Sequence, residues 1–242
     1  MLEYQERTYR DKMIAEDLVS FNVKVKETDL WISSDSDLTE DARDLVFGCR
    51  YQIESYIKSH PEFLTTLQPC AEDPYASPIV DEMIRTTRAV GIGPMASVAG
   101  AIAQYVGKGL LELTDQVIVE NGGDIFLKID RPATVSIFAG DSPLSDKLGL
   151  IVPTRLMPVS ICSSSGKVGH SLSMGSSDVI CLMSASAMLA DGAATALGNR
   201  VKSKKDLDNV SNWADRIGGI LGGVAIMGDK MAAWGDIKLV GL

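Results

Sequence analysis

The sequence predicts an α+β domain in which mainly antiparallel sheets are covered by helices. In some segments apolar and polar residues alternate, which is the period of a β-strand. These segments precede others in which apolar residues recur every three or four positions, which is the period of a helix. This order of hairpin and then helix occurs in both halves of the 242 residues, about 1–115 and 116–242. We therefore expect a single domain, 1–242, composed of two closely packed lobes with a ligand cleft between them.

Composition and charge exclude several classes of protein. The formal net charge of −9 argues against nucleic-acid binding, which needs clustered lysine and arginine to neutralise phosphates. The charged N-terminus, MLEYQERTYRDK, has no apolar signal region, and no stretch reaches the length of a membrane span. The four cysteines form no C-x-x-C pair, so neither zinc nor disulfides are expected. These features predict a cytoplasmic protein.

The first half of the chain begins with a hairpin and a long helix. Apolar residues at every second position predict a strand over 19–25, and residues 30–32 form the second arm. Apolar residues recur every three or four positions from Leu38 to Ile57, which predicts a helix that ends near His60 and Pro61. Its start, Asp37-x-x-Glu40, has the spacing of a capping box.

A loop over 67–78 and a helix over 79–89 lead to Gly91-Ile92-Gly93-Pro94, which opens an apolar helix through Val106. A helix start of glycine and proline leaves amides that attract phosphate. Gly93 is therefore a candidate phosphate contact, and a simple turn residue is the alternative.

The second half contains short strands and one glycine turn. Asn121-Gly122-Gly123-Asp124 separates two strands, and its glycines permit positive φ and close approach of a ligand, although a hairpin turn without function is the commonest role of such a tetrapeptide. Ser163 to Gly175 is rich in serine and glycine, as in loops that wrap a ligand. Further strands are predicted at 117–119, 125–128, 134–138, 149–152, 159–162, 179–183, 222–227 and 237–240, and a helix at 207–213.

The central helix is predicted over Ser184 to Asn199, SASAMLADGAATALGN. Asp191 and Thr195 are four residues apart and share one helical face. A carboxylate among alanines needs a cation or hydrogen-bond donors, because an unpaired buried charge costs several kcal/mol. One interpretation is a metal site. The other is that Asp191 accepts amides of a neighbouring element and that Thr195 donates to the carbonyl of residue 191.

Three stretches, in order, carry a resemblance to a known family. ENGGDI, Ser164-Ser165-Gly166 and LADGAATAL resemble the G-G-D turn, the Thr-Ser-Gly and the A-D-A-x-A-T-A helix of the ApbE-like superfamily of flavin transferases. The wider pattern, GPMASVAG, VENGGDI, SSGKVGHSLSMG and ADGAATALGN, is similar to a branch found in anaerobic bacteria and archaea. The resemblance spans about residues 91–199 and implies lobes of the T-fold type.

The resemblance also implies ligands and roles. Enzymes of the superfamily bind FAD and a divalent cation and transfer FMN to a threonine of an acceptor protein. By resemblance, Asp191 and Thr195 would bind Mg²⁺, and His170 would deprotonate the acceptor hydroxyl. FAD or a related nucleotide would be bound by Gly93, Asn121, Gly122, Gly123, Asp124, Ser164, Ser165 and Gly166. In that arrangement, residues 164–166 lie near the ribityl chain or phosphate and residues 121–124 near the adenine.

The chain departs from the family around His170. The transferases carry His-x-x-Asp-Pro-x-Thr-Gly, whereas this chain reads HSLSMG and lacks both Asp-Pro and Thr-Gly. Three functions follow as hypotheses: an FMN transferase, a non-catalytic flavin or nucleotide binder, and an accessory of anaerobic sulfur or redox metabolism that uses Cys162 or the cleft for a small anion. The sulfur hypothesis requires a lowered thiol pKa. An acceptor protein and a homo-oligomer are the macromolecular partners to consider.

Overall fold

A computed structural model describes Arg10, residues 17–166 and residues 175–242. Within them an eight-stranded antiparallel sheet is covered by helices on one face and partly by a three-stranded sheet on the other. The predicted α+β class, with mainly antiparallel sheets and covering helices, is confirmed.

The strands of the large sheet, in spatial order, are β1 (Val19–Val25), β2 (Thr28–Ser34), β3 (Val117–Asn121), β4 (Asp124–Lys128), β7 (Val159–Ser164), β8 (Val179–Ser184), β9 (Ile220–Met227) and β10 (Lys230–Gly235). The small sheet has the order β11 (Lys238–Gly241), β6 (Leu148–Val152) and β5 (Ala133–Ser136). The helices are α1 (Thr39–Ser59), α2 (Pro78–Val90), α3 (Val98–Leu110), α4 (Ala187–Gly198) and α5 (Leu207–Ala214).

Periodicity explains how the first elements pack. In β1, Phe21, Val23 and Val25 are buried and the residues between them are exposed, so one face of the strand joins the core. In α1 the buried positions, Ala42, Val46, Cys49 and Ile53, follow the helical period and belong to the same core. The predicted hairpin and long helix are therefore confirmed.

Helices α3 and α4 lie in the middle of the helical layer. α3 contacts β3, β4 and α1, while α4 contacts β7, β8, α2 and α3. Small residues make this packing close: a methyl group added at Gly107 of α3 would lie 2.2 Å from the Phe126 ring of β4. A helix enclosed on several sides is apolar around most of its circumference, as the composition of α4 shows.

Several details differ from the sequence-based expectation. β10 was not predicted, because this edge strand is mostly exposed and lacks a regular apolar alternation. α4 begins at Ala187, capped by Ser186, whose side chain accepts from the Leu189 amide. Asp37 accepts from the Thr39 amide at 2.9 Å, and the residue before α1 makes no side-chain cap, so the capping box is not formed.

The division into two lobes stays a prediction. β2 and β3 are hydrogen-bonded neighbours, so the large sheet continues across the boundary proposed near residue 115.

Over the described residues, no single helix has the length and apolar character to cross a membrane. One bent pair of helices, residues 78–90 with 94–110, is long and apolar enough by length and composition alone.

Candidate functional site

The carboxylate of Asp191 lies where α4 crosses α3. It is 8% exposed, and its Oδ2 accepts the Gly100 amide at 2.9 Å. A methyl group added at Gly100 would lie 2.6 Å from the Ala187 carbonyl oxygen, so only glycine permits the two helices to approach this closely. The amide contact agrees with part of the simpler interpretation of Asp191. One neutral donor does not by itself neutralise a buried carboxylate.

Thr195 follows one turn later on α4 and faces the end of β7. Its Oγ1 donates to Ser164 Oγ at 3.3 Å, rather than to the carbonyl of residue 191. Both side chains are buried. The fold thus brings together one residue expected to bind metal and one expected to bind the nucleotide.

The glycine turn is a tight turn between β3 and β4, as predicted. Gly122 has φ 69° and Gly123 has φ 104°, a region that side-chain-bearing residues rarely adopt. Asn121 anchors the turn to the helical layer, because its Nδ2 donates to the Ala99 carbonyl at 3.0 Å. The first residue of β4, Asp124, is consequently directed toward α3 and α4.

Asp124 is the residue whose position the sequence analysis did not foresee. It is 5% exposed, accepts the Ser163 amide at 3.3 Å, and interacts electrostatically with Asp191. The resemblance associated Asp124 with the adenine end of a nucleotide and not with the metal ligands. A signal was available: Asp124 lies two residues before the buried Phe126, so it shares the strand face that the helices cover.

Burial raises the pKa of Asp191 to about 7, although the hydrogen bond from Gly100 opposes this rise. Burial, and then the negative charge of Asp191, raise the pKa of Asp124 well above its ordinary value. Among the residues that the structure describes, neither carboxylate has a lysine or arginine partner. Two buried carboxylates without a counterion retain protons or bind a cation.

The donor atoms around these carboxylates fit Mg²⁺. Asp124, Asp191, Thr195 and Ser164 present oxygen atoms, which hard divalent cations prefer, and the Cys162 thiol is hydrogen-bonded to Asp124 beside them. Across the described ranges no group of three or more histidine, cysteine, aspartate or glutamate side chains is placed to hold a metal ion, so a cation here would have two protein carboxylates together with hydroxyl oxygens. A site with two carboxylates and two hydroxyls leaves positions for water or phosphate oxygens.

A pH dependence of stability follows from Asp191. Its pKa in the folded protein is raised above the unfolded value, so folding favours the protonated form, and stability falls as pH rises from about 4 to about 7. In EDTA, we expect the free energy of unfolding from urea titrations to be roughly 2–4 kcal/mol lower at pH 8 than at pH 5. Asp191→Asn should reduce this difference without abolishing it, because burial also raises the pKa of Asp124. The same slope in both proteins would contradict the assignment to Asp191.

Cys162 does not have the properties that the sulfur hypothesis requires. Its thiol is fully buried and donates to the Ala187 carbonyl at 3.4 Å. Burial, followed by the charges of Asp124 and Asp191, raises its pKa well above the usual value. A protonated, buried thiol is a poor nucleophile. The structure therefore gives no support to a reactive Cys162.

The backbone amides of two other predicted residues, Gly166 and Gly93, are hydrogen-bonded within the chain. The Gly166 amide donates to the Ser177 carbonyl at 3.1 Å, and Ser165 is half-buried beside it. The Gly93 amide donates to the Leu67 carbonyl at 3.0 Å, so it is engaged within the chain and gives no support to a phosphate contact. His170 lies outside the described residues.

Gln104 is a second residue that the sequence analysis missed. It is buried in α3, and its Oε1 accepts the Ala187 amide at 2.7 Å at the first turn of α4. Its Nε2 donates to Glu82 of α2 at 3.2 Å. A glutamine within the apolar run of α3 was the available signal, because a buried amide side chain needs partners. Gln104 thus fixes the end of α4 nearest to Asp191.

Comparisons with known proteins agree with this architecture. A family model described as AbpE bacteria matches residues 10–216. The chain is 37% identical over 220 residues to a UPF0280 protein of Methanocella arvoryzae, covering 90% of this chain and 89% of the relative. It is 38% identical over 200 residues to a UPF0280 protein of Methanothrix thermoacetophila, covering 82% of this chain and 84% of the relative.

Solved structures extend the likeness to the fold of flavin transferases. The chain is similar to the flavin transferase ApbE from Vibrio cholerae, with a TM-score of 0.58 and 13% identity, over 90% of this chain and 96% of that one. The apo form of the Pseudomonas stutzeri flavinyl transferase ApbE gives the same TM-score and identity, over 90% of this chain and 94% of that one. At such identity the likeness concerns the fold. Together with the family match and the archaeal relatives, it shows that the chain belongs to the ApbE-like superfamily, in the family described as AbpE bacteria.

Proposed function

We propose that this protein binds Mg²⁺ and, through it, the phosphates of a flavin nucleotide such as FAD. The observation that carries the proposal is the pair of buried carboxylates, Asp124 and Asp191, which have no cationic partner among the described residues and lie beside the hydroxyls of Thr195 and Ser164. Mg²⁺ commonly binds through one or two carboxylates together with substrate phosphates. That the structural neighbours are named flavin transferases supports a flavin as the nucleotide.

Each residue of the chain would have a definite task. Asp191 and Asp124 would hold the cation, and the Gly100 amide would orient Asp191. Thr195 and Ser164 would supply neutral oxygens. Gly122 and Gly123 would leave space for a nucleotide against bare backbone, since no side chain projects there. When bound, Mg²⁺ would neutralise phosphate charge that the acidic chain cannot.

Binding without efficient FMN transfer is the activity that we favour. Transfer needs a base that removes the proton of the acceptor hydroxyl, and His170 is the candidate because histidine is the residue type most often used as a general base. The segment HSLSMG lacks the Asp-Pro and Thr-Gly of the transferases. A non-catalytic nucleotide binder therefore fits the sequence better than a full transferase.

The test is incubation with FAD, Mg²⁺ and a threonine-bearing acceptor peptide, alongside His170→Ala. We expect FAD binding that EDTA abolishes, and an FMN adduct that is weak or absent by mass spectrometry in both proteins. Efficient transfer that His170→Ala eliminates would show that the protein is an enzyme. FAD binding that is unaffected by EDTA would contradict the role of the metal.

The cytoplasmic location, an acceptor protein and a homo-oligomer stay predictions. Protein purified without added flavin offers a direct check of the nucleotide, because heat releases a non-covalent ligand for absorbance and mass measurement. A flavin spectrum in that supernatant would support the proposed ligand.

A further inference from the structure

A buried ion-pair network lies on the sheet face opposite α3 and α4. Glu120 of β3 is 1% exposed, and its Oε2 accepts from Arg10 Nε at 2.7 Å and Nη2 at 2.6 Å. Arg10 also donates to the Asp29 carboxylate and to its backbone carbonyl, each at 2.8 Å. Asn22 donates to the same Asp29 carboxylate at 2.8 Å. The guanidinium is thus held at several points and serves as the counterion of two buried carboxylates.

The second oxygen of Glu120 reaches the glycine turn. Its Oε1 accepts the Gly123 amide at 2.8 Å, while Oε2 stays with Arg10. Gly123 has positive φ and directly precedes Asp124. A charge-assisted hydrogen bond to this amide fixes the peptide that leads into Asp124.

The turn is consequently held from both faces of the sheet. On the helical face, Asn121 donates to the Ala99 carbonyl of the segment before Gly100. On the opposite face, Glu120 accepts from Gly123. Alternate residues of a strand point to opposite faces, so neighbouring Glu120 and Asn121 are suited to these two tasks.

We infer that Glu120, oriented by Arg10, is a positioning residue that holds the turn so that Asp124 faces Asp191 at the cation site. The inference rests on the proposed function. If Glu120 served only to pair with Arg10, neither of its oxygens would need to contact the turn. Instead, Glu120 Oε1 accepts the Gly123 amide. An uncharged side chain with an acceptor oxygen at this position could make the same hydrogen bond.

Glu120→Gln and Glu120→Ala form a matched pair of variants. Both remove the charge that pairs with Arg10, but only glutamine keeps a carbonyl oxygen that can accept the Gly123 amide. The first measurement is amide hydrogen exchange of Gly123, and the second is the affinity for Mn²⁺ alone, measured by electron paramagnetic resonance. Both are made at a temperature at which each variant is folded.

Glu120→Ala should accelerate Gly123 exchange and lower Mn²⁺ affinity about tenfold or more, as losing a supporting partner of a metal ligand does. Glu120→Gln should stay close to wild type in both measurements, even where its unfolding temperature falls. If Glu120→Ala does not fold, Arg10→Met, Asp29→Asn and Glu120→Leu combined remove the three buried charges of the network and the acceptor together, with the same expectation.

The outcomes separate this inference from the proposed function. Wild-type Mn²⁺ binding that Asp191→Asn abolishes but Glu120→Ala leaves unchanged would overturn the positioning role alone. Unchanged Gly123 exchange in Glu120→Ala, or equal losses of Mn²⁺ affinity in the two Glu120 variants, would also overturn it. A wild-type protein that binds no Mn²⁺ would overturn both proposals.

Discussion

Asp191→Asn is expected to lower Mg²⁺ affinity by at least about 100-fold, because the variant replaces a charged metal ligand by a neutral one. This effect is larger than the roughly 10- to 100-fold loss that removing an outer-shell partner of a metal ligand causes. The side chain of asparagine has almost the same shape, and its carbonyl oxygen can still accept the Gly100 amide. The variant also removes the repulsion between Asp191 and Asp124. In the absence of metal it should therefore be at least as stable as the wild type at pH 8.

Calorimetric titration with Mg²⁺ in the presence of FAD measures the affinity, and urea unfolding measures stability. Asp208→Asn is the control, since Asp208 is an exposed aspartate of α5 and its change should leave Mg²⁺ affinity as it is. Equal thermal stabilisation of wild type and Asp191→Asn by Mg²⁺ and FAD would rule out Asp191 as a ligand.

Gly100→Ala is expected to destabilise the protein by up to about 2 kcal/mol net, because overpacking a core usually costs about 1–3 kcal/mol. The added methyl would lie 2.6 Å from the Ala187 carbonyl oxygen and 3.0 Å from Asp191 Cβ, and a backbone carbonyl cannot move aside cheaply. This cost exceeds the roughly 1 kcal/mol that replacing a helical glycine by alanine normally gains. Displacement of α4 should also lower Mg²⁺ affinity.

Gly48→Ala is the matched control for the helix-propensity gain. Gly48 lies in α1, is exposed, and has no atom within 4 Å of an added methyl. Its replacement should raise the free energy of unfolding by up to about 1 kcal/mol without changing Mg²⁺ affinity. If urea unfolding showed equal gains in both variants, the close helix contact at Gly100 would have no energetic consequence.

The sequence alone identifies the elements that carry the site. In β1 and α1, periods of two and 3.6 reveal which face of each element is buried, because the backbone geometry fixes where successive side chains point. The turn at 121–124 follows from two adjacent glycines, which tolerate positive φ. LADGAATAL predicts both α4 and the shared face of Asp191 and Thr195. These features are local, so local sequence determines them.

Only the tertiary structure decides which of these groups meet. Asp124 lies beside Asp191 because the sheet order places β4 next to β7, beneath α4. Gly100 donates to Asp191, and Glu120 holds Gly123 from the other face, because of how α3 packs and where Arg10 lies. Periodicity reports that a face is buried but not which element covers it. The burial of both carboxylates, which is the largest cause of their raised pKa values, depends on that packing, and so does the proximity of Asp191 to Asp124.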